Sequence, residues 1–463
     1  MIDGLQPYPE YMASSLPWTD RIPRHWQTIR LDRLFHLRRE PPLPGDERVT
    51  GYLSGRVTLR SNVQGQKIKG VIKDGGWQRV YPGDLAISGM NAHLGGMGVS
   101  DSLGKCSPIY LVLQPKAATN SHFVSQCVRH IAHAGALKSF VNTIRFNSAD
   151  FKRDALKLFR ILLPSADEQA AIVRFLDHAN GRIERVIRAK RKLIALLHEQ
   201  KQAIIHRAVT RGLDPNVKLK PSGNPWLADV PAHWEVPPLK QLLHRMDYGT
   251  SENTRGEGPV RVLGMGHIRD GSVVLPDHGS LAAVPSGLLL EHNDLLFNRT
   301  NSPELVGKVG LFQGNASDQV TFASYLVRLR VRPNHGPVWL NYLLNSVQFW
   351  SFARSQALVS LHQANLNSNR YGRMVLPVPN KAEQTRIAEF IGVQIAGIEK
   401  GIARTEREIA LLREYRIRLT ADVVTGKLDV REAAKRLPAE GEEMPAAPNE
   451  IDDTIEESTE PDS

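Results

Sequence analysis

Apolar residues in this chain gather into two long periodic runs separated by shorter, broken ones. In the first run, positions 176, 180, 183, 187, 190, 194, 197, 201, 204 and 208 alternate steps of four and three. They hold Leu176, Asn180, Ile183, Ile187, Lys190, Ile194, Leu197, Lys201, Ile204 and Ala208. Seven of the ten are apolar, and they occupy one narrow stripe. That is the seam of a coiled coil, narrower than the apolar face of an ordinary surface helix. At ~1.5 Å per residue, the roughly forty residues from 168 to 209 would span about 60 Å. A single helix of that length cannot bury its own stripe, so a partner helix is expected. Gly212, with Pro215 just beyond it, is the expected stop.

Adding 215 to each position gives Ile391, Ile395, Ile398, Ile402, Thr405, Ile409, Leu412, Arg416, Leu419 and Val423, of which eight are apolar. The polar breaks coincide, Lys190 with Thr405 and Lys201 with Arg416. The starts coincide as well, Glu168-Gln169 with Glu383-Gln384. So do the ends, Thr210-Arg211-Gly212-Leu213-Asp214 with Thr425-Gly426-Lys427-Leu428-Asp429. Agreement in start, stripe, breaks and end marks an internal duplication, and the second run is the expected partner of the first.

A shorter motif repeats ahead of each copy. Residues 17–26 read PWTDRIPRHW and residues 225–234 read PWLADVPAHW, alike at six of ten positions when Ile22 is counted with Val230. Short helical patterns follow at Leu31-Leu34-Phe35 and Leu239-Leu242-Leu243. Two tryptophans and a histidine in ten residues suit either a binding cage or an anchoring elbow. Prolines that fix direction and indoles that pack on a neighbour favour the elbow.

Between the repeats lie two variable units. The first carries expected strands at 57–60, 68–72, 85–88 and 109–113, a helix at 121–133, and a glycine-rich loop from 88 to 104. The second repeats the outline in a different sequence. Asp84-Leu85 answers to Asp294-Leu295, Tyr110-Leu111-Val112 to Tyr325-Leu326-Val327, and the first helix to one expected at 338–352. The expected domains are therefore 1–165 (elbow and first variable unit), 166–235 (first long helix and second elbow), 236–380 (second variable unit), 381–436 (second long helix) and 437–463 (acidic tail).

Composition narrows the class of partner. The chain has 463 residues and a formal charge of +11, while residues 438–463 hold ten acidic and no basic residues. Without that tail the charge is +11 + 10 = +21. A body this basic suits a polyanion such as nucleic acid. The tail has little to bury and is expected to be disordered. No window is apolar enough for a membrane span, the N-terminus lacks a signal-peptide pattern, and Cys106 and Cys127 are too few for a disulfide framework. A cytoplasmic protein without membrane association is expected.

Catalytic signatures are missing. There is no adenine-methyltransferase [DN]-P-P-[FY], HExxH, GxSxG or CxxC, and Gly264-Met265-Gly266 lacks a dinucleotide-binding context. The loop at 104–106 fails as a phosphate loop, since Val99 and Cys106 stand where glycine and Ser or Thr are needed. A dispersed nuclease site of Asp, Glu and Lys leaves no such signature and stays open.

With these features in hand, the chain from residue 17 to about 436 resembles the specificity (S) subunit of type I restriction-modification systems. The resemblance rests on IPRHW and VPAHW, the paired Glu-Gln helix starts, the segment 208–234 and the run DLLFNRTNSPELVGKVGLF at 294–312. It implies an α+β chain of two small α/β target recognition domains, joined by two long helices that form an antiparallel coiled coil with pseudo-two-fold symmetry. It further implies a non-catalytic DNA-recognition subunit that reads a bipartite site in double-stranded DNA. Two methyltransferase subunits would be its partners, joined in some systems by restriction/translocase subunits. S-adenosylmethionine, ATP and magnesium would sit on those partners, with no cofactor or metal in this chain. The competing readings are a self-contained nuclease or methyltransferase, and a coiled-coil protein-binding scaffold.

Loop Arg, Asn and Lys side chains are the groups that contact base edges and phosphates. In the second unit the candidates are Arg299, Asn301 and Lys308, with Asn298 beside them. In the first they are Asn91 and His93, with Lys105 as a phosphate contact.

Overall fold

The computed structural model describes residues 5–63, 76–117, 119–137, 142–145, 148–150, 156–157, 159–224, 226–252, 256–360 and 363–438. The expected strand at 68–72 and nearly all of the acidic tail lie outside the described residues. The chain divides into two compact units, one of Met1–Ala189 with Arg407–Ser463 and the other of Lys190–Glu406. Each unit therefore combines one globular head with a half of each long helix.

In the first unit a four-stranded antiparallel sheet runs in the order Phe35–Leu37, Tyr110–Pro115, Leu85–Ser88, Met97–Val99. Side chains alternate across it as strand geometry requires. Leu85 and Ile87 face a core shared with the helix Ser121–His133, through Phe123, Val124 and Val128. Ala86 and Val112 face a second core with Val49, Val57, Val80 and Cys106. That helix has the expected bounds, and the Asn120 side chain caps it by accepting from the Phe123 N–H.

The second unit repeats the plan. The strands Leu243–Tyr248, Leu326–Val331, Leu295–Asn298 and Val309–Leu311 lie in the equivalent order. Leu295 and Phe297 face a core that includes Leu340 and Leu344, and Leu296 faces a separate core with Leu263 and Phe322. The turn that leads into the central strand is built identically twice. Tyr81 N–H donates to Asp84 Oδ2 at 3.0 Å, and Glu291 N–H to Asp294 Oδ2 at 2.8 Å. Gly83 and Asn293 take the positive φ that each turn needs. Each aspartate then receives a bidentate arginine, Arg38 at 2.7 and 3.1 Å and Arg330 at 2.8 and 2.7 Å.

Three local expectations need correcting. The helix expected at 338–352 is two helices, Pro337–Leu344 and Val347–Ser355. Asn345 breaks it because its side chain is spent on the Val309 backbone, accepting at 3.1 Å and donating at 2.9 Å. The helical patterns after the elbows are single turns, Leu31–Leu34 and a 3-10 turn Leu239–Gln241, and Phe35 and Leu243 already begin strands. The ladder register pairs Tyr110 with Ser88 and Leu326 with Asn298, so Tyr110 answers to Leu326 and not to Tyr325. One residue of slip moves every side chain to the other face of the sheet.

The long helices run Ala166–Arg211 and Lys381–Val424. Every expected seam position is buried or half-buried. Leu176, Ile183 and Ile187 of the first helix and Ile409, Leu419 and Val423 of the second are buried in the first unit. Ile391, Ile395 and Ile402 are buried in the second, where Ile194, Leu197, Ile204 and Ile398 are half-buried; Leu412 is half-buried in the first. Within each unit the two helix segments run antiparallel. In the first, Arg416 Nη1 lies 3.2 Å from Glu184; in the second, Lys201 Nζ lies 2.7 Å from Glu399. Residues 184 and 399 differ by 215, as do 201 and 416, so one ion pair is made twice. The polar breaks at Lys201 and Arg416 are thus paired with acids on the opposing helix, while Thr405 donates to Gly401 O of its own helix.

Such half-exposed pairs are worth ~0.2–1 kcal/mol. Lys201→Glu is expected to lower the melting temperature slightly, and Lys201→Glu combined with Glu399→Lys to restore it. A double swap no better than the single change, in a thermal melt, would contradict this pairing.

Candidate nucleic-acid interface

What holds each head on its helices is the pattern shared by the two copies of the repeat. In the first unit Glu168, 3% exposed, accepts from Tyr8 Oη at 2.6 Å and Trp26 Nε1 at 3.1 Å, while His25 Nε2 lies 3.0 Å from its other oxygen. Burial, then the bond to Glu168, pushes the Tyr8 hydroxyl pKa well above the usual tyrosine range. In the second unit the side-chain partner of Glu383 among the described residues is His233, at 3.1 Å. The glutamines act alike. Gln169 donates to Pro164 O at 3.0 Å and accepts from the Asn120 N–H at 3.4 Å; Gln384 donates to Pro379 O at 2.7 Å and accepts from the Gly336 N–H at 2.6 Å. Asn120 and Gly336 are N-caps of head helices, so Gln169 and Gln384 tie each head to the start of its long helix.

The tryptophans are fully engaged in this packing. Trp26 and Trp234 are 1% and 0% exposed, Trp18 stacks on Phe159, and Trp226 lies against Phe349 and Phe352. The elbows are anchors, with no open aromatic cage.

In the second unit the structure draws most of the predicted residues into neighbouring strands. Asn298 ends Leu295–Asn298, Asn301 lies on Thr300–Asn301, and Lys308 precedes Val309–Leu311. Arg299 is fixed on both sides of its backbone: its N–H donates to Tyr325 O at 3.1 Å and its carbonyl accepts from the Leu366 N–H at 2.8 Å. Its guanidinium lies 5.0 Å over the Tyr248 ring, with Nη2 3.5 Å from Asn365 Oδ1 and a buried Nε that has no partner. Lys308 Nζ lies 5.4 Å from the Trp350 ring centre and the Arg354 guanidinium 4.8 Å from it. Asn301 is half-buried, its Oδ1 bonded to the Ser302 N–H. Asn298 is different. It is 1% exposed, with Nδ2 3.4 Å from Met265 O, so in this structure it has no face to offer DNA.

Trp350, Arg354, Tyr248 and Asn365 were absent from the sequence-based set. The one local signal for them is Trp350 and Arg354 at i and i+4 on a helix. Glu304 is the acid that feels the Arg354 charge. Its own backbone N–H, then Ser302 and Arg354, hold that exposed carboxyl below the usual range.

In the first unit the candidates sit in a compact turn within the glycine-rich segment. Asn91 precedes the 3-10 turn Ala92–Leu94 that holds His93, and both are half-buried. Gly95 and Gly96 leave no room for a side chain; a Cβ would meet His133 at 2.9 Å and Asn91 at 2.8 Å. Lys105 lies apart on the strand Gly104–Cys106, its Nζ 6.0 Å from the Trp77 ring centre. Arg129 is the cation that sequence reasoning missed. It donates to Leu53 O at 3.2 Å and Met97 O at 3.4 Å, and burial brings its guanidinium down to about 10. Cys106 and Cys127 are free and buried, and burial, reinforced by Asp84, pushes the Cys106 thiol up to about 12. Among the described residues no cluster of His, Cys, Asp and Glu could hold a metal, and no helix is long and apolar enough to cross a membrane.

No family model matches the chain. It is 23% identical over 173 residues to a putative type I restriction enzyme MjaX specificity subunit of Methanocaldococcus jannaschii. That match covers 36% of this chain and 40% of the relative, so it spans less than half the length of either protein. Among solved structures the chain is similar to one from work on complex assembly and conformational transition of the type I R-M system. The TM-score is 0.65 at 15% identity, covering 88% of this chain and 99% of the other. The HsdS subunit of Thermoanaerobacter tengcongensis gives a TM-score of 0.48 at 16% identity, over 88% and 98% of the two chains. The chain thus has the fold found in the type I restriction-modification system and, over about a third of its length, resembles a specificity subunit in sequence.

Proposed function

We propose that this chain is the non-catalytic DNA-recognition subunit of a type I restriction-modification complex. Each head engages one half of a bipartite site in double-stranded DNA. The elbows and long helices carry two methyltransferase subunits, joined in some systems of this type by restriction/translocase subunits. S-adenosylmethionine, ATP and magnesium belong to those partners. The observation that carries this reading is the duplicated unit, a head locked to a long helix by the same Glu-Gln start, on a fold shared with a type I system. Two heads on one chain raise each other's effective concentration on DNA. Lys and Arg supply phosphate affinity, and loop side chains read base edges. Exposed apolar residues on the long helices, such as Leu196 at 51% and Leu411 at 63%, support docking of partner subunits there.

Arg299→Ala is expected to weaken binding to the selected DNA site by ~1–3 kcal/mol and to relax its sequence preference. A binding assay across salt concentrations checks both terms. Unchanged affinity and preference would remove Arg299 from the interface. Wild-type DNA affinity that does not fall with salt would favour the protein-scaffold reading instead.

A further inference from the structure

The strand Leu358–Ser360 is the outer strand of a three-stranded sheet whose order is Thr300–Asn301, Gln363–Asn365, Leu358–Ser360. All three of its residues are exposed, with Leu358 at 69% and Val359 at 62%. Neighbouring residues in a strand point to opposite faces, so this outer strand stands clear on both faces, while its partner strand Gln363–Asn365 is anchored by the buried Ala364. Edge strands of this kind normally carry charges that block pairing with other chains. Here the strand itself is apolar and the charge lies at its base.

Two arginines contact that base, and a third precedes it closely in the chain. Arg299 meets Asn365, which pairs in register with Leu358. Arg370 donates to Gln356 O at 2.9 Å, two residues before Leu358. Arg354 lies four residues before it in the chain, against Trp350, and donates to Glu304 O at 3.2 Å. Among the described residues none of the three forms an ion pair, and Glu304 is the acid that feels the Arg354 charge. An exposed apolar pair, Leu358 and Val359, beside guanidiniums that form no ion pair does not suit an acid-free protein surface. It suits a polyanion that offers apolar groups between its charges, as the major groove of DNA does with thymine methyls between phosphate rows. That groove is wide enough for a two-stranded β-ribbon.

We propose that the ribbon of Leu358–Ser360 and Gln363–Asn365 is the base-reading element of the second head. Leu358 and Val359 lie against base edges, the exposed Gln363 amide hydrogen-bonds among them, and Arg354 and Arg370 hold the flanking phosphates. The inference rests on the DNA-recognition reading above.

The test is selection of bound sequences from a random double-stranded library by the full chain assembled with its methyltransferase subunits. The assembly carries either the wild-type chain, Leu358→Ser with Val359→Ser, or Arg354→Ala. The expected result is a two-block motif for wild type. The double variant should keep one block, lose sequence preference in the other, and bind the wild-type site at least ~10-fold more weakly. Arg354→Ala should bind all sequences more weakly and lower the salt slope by about one. Because Leu358 and Val359 are exposed, unchanged melting temperatures are expected and would exclude misfolding. A double variant that selects both blocks with wild-type affinity overturns the proposal while leaving the DNA-recognition reading intact. A wild-type assembly that selects no motif overturns both.

Discussion

Replacing Glu168 with Ala is expected to destabilise the first unit by about 3–5 kcal/mol, the largest loss among single changes at the elbows. The carboxylate is buried and accepts from the Tyr8 hydroxyl and the Trp26 indole. Its removal leaves two donors without partners in a packed interior, at ~1–3 kcal/mol each. The sequence-equivalent Glu383→Ala should cost only about 1 kcal/mol. Its partner His233 is 53% exposed, and the Trp234 indole N–H already lacks a partner. Thermal melts of the two variants check the asymmetry, and equal losses would contradict it. The Tyr8 shift adds a pH signature. Its folded-state pKa is raised, so its contribution is complete below the unfolded-state value of ~10 and declines as pH rises beyond it. Alkaline destabilisation should shrink in Tyr8→Phe.

The second large effect is expected at the end of the second long helix. Gly426 has φ +75°, and a Cβ built there would lie 2.4 Å from Pro23 Cδ and 3.1 Å from Trp26 Cζ3. Gly426→Val combines a left-handed backbone, which costs ~1–2 kcal/mol for a residue with a Cβ, with overpacking of ~1–3 kcal/mol. A loss of about 2–5 kcal/mol is expected. Gly212, at φ +72°, has 3.3 Å to Trp234 Cζ2, so Gly212→Ala should cost ~1–2 kcal/mol, close to the backbone part alone. Denaturant melts of both variants decide the point, and a tolerated Gly426→Val would mean that the elbow does not press on this helix end.

These two sites also show why so much of the scaffold could be read from sequence. Helix seams, N-terminal carboxylates and C-terminal glycines are set by chemistry within a few residues, so period and spacing reveal them. Repetition of the seams and carboxylates at a constant offset of 215, with the glycines at 212 and 426 one residue off it, turns each weak signal into a paired one. The duplication extends to contacts outside the seams: Gln27–Arg30 pairs with Arg160–Leu163, and Glu235 with Val378 and Pro238 with Val375 repeat it, the elbow side offset by 208 and the other by 215.

The heads were less legible because their structure depends on distant residues. Asn345 ends a helix only because Val309 lies beside it. The glycine-rich segment, expected as a loop, contains the strand Met97–Val99, whose close approach requires Gly98: a Cβ there would lie 1.9 Å from Gly55 O. The candidate site was seen in part. Arg299 and Lys308 stand out as cations among turn formers, but Tyr248, Trp350 and Asn365 come from 42 to 66 residues away in sequence. Asn298 looked equally polar in the sequence, yet the strand's alternation and the neighbouring Met265 carbonyl place it inside.

The central claim is that two different heads on a duplicated scaffold each read one half of a single DNA site. The most direct measurement is to co-express the chain with a type I methyltransferase subunit and map N6-methyladenine across the DNA of those cells. The account predicts one motif of two short constant blocks around an unread gap of fixed length, with the Arg299→Ala variant degrading one block alone. A stable assembly that methylates no such motif, or one whose motif is a single continuous block, would contradict it.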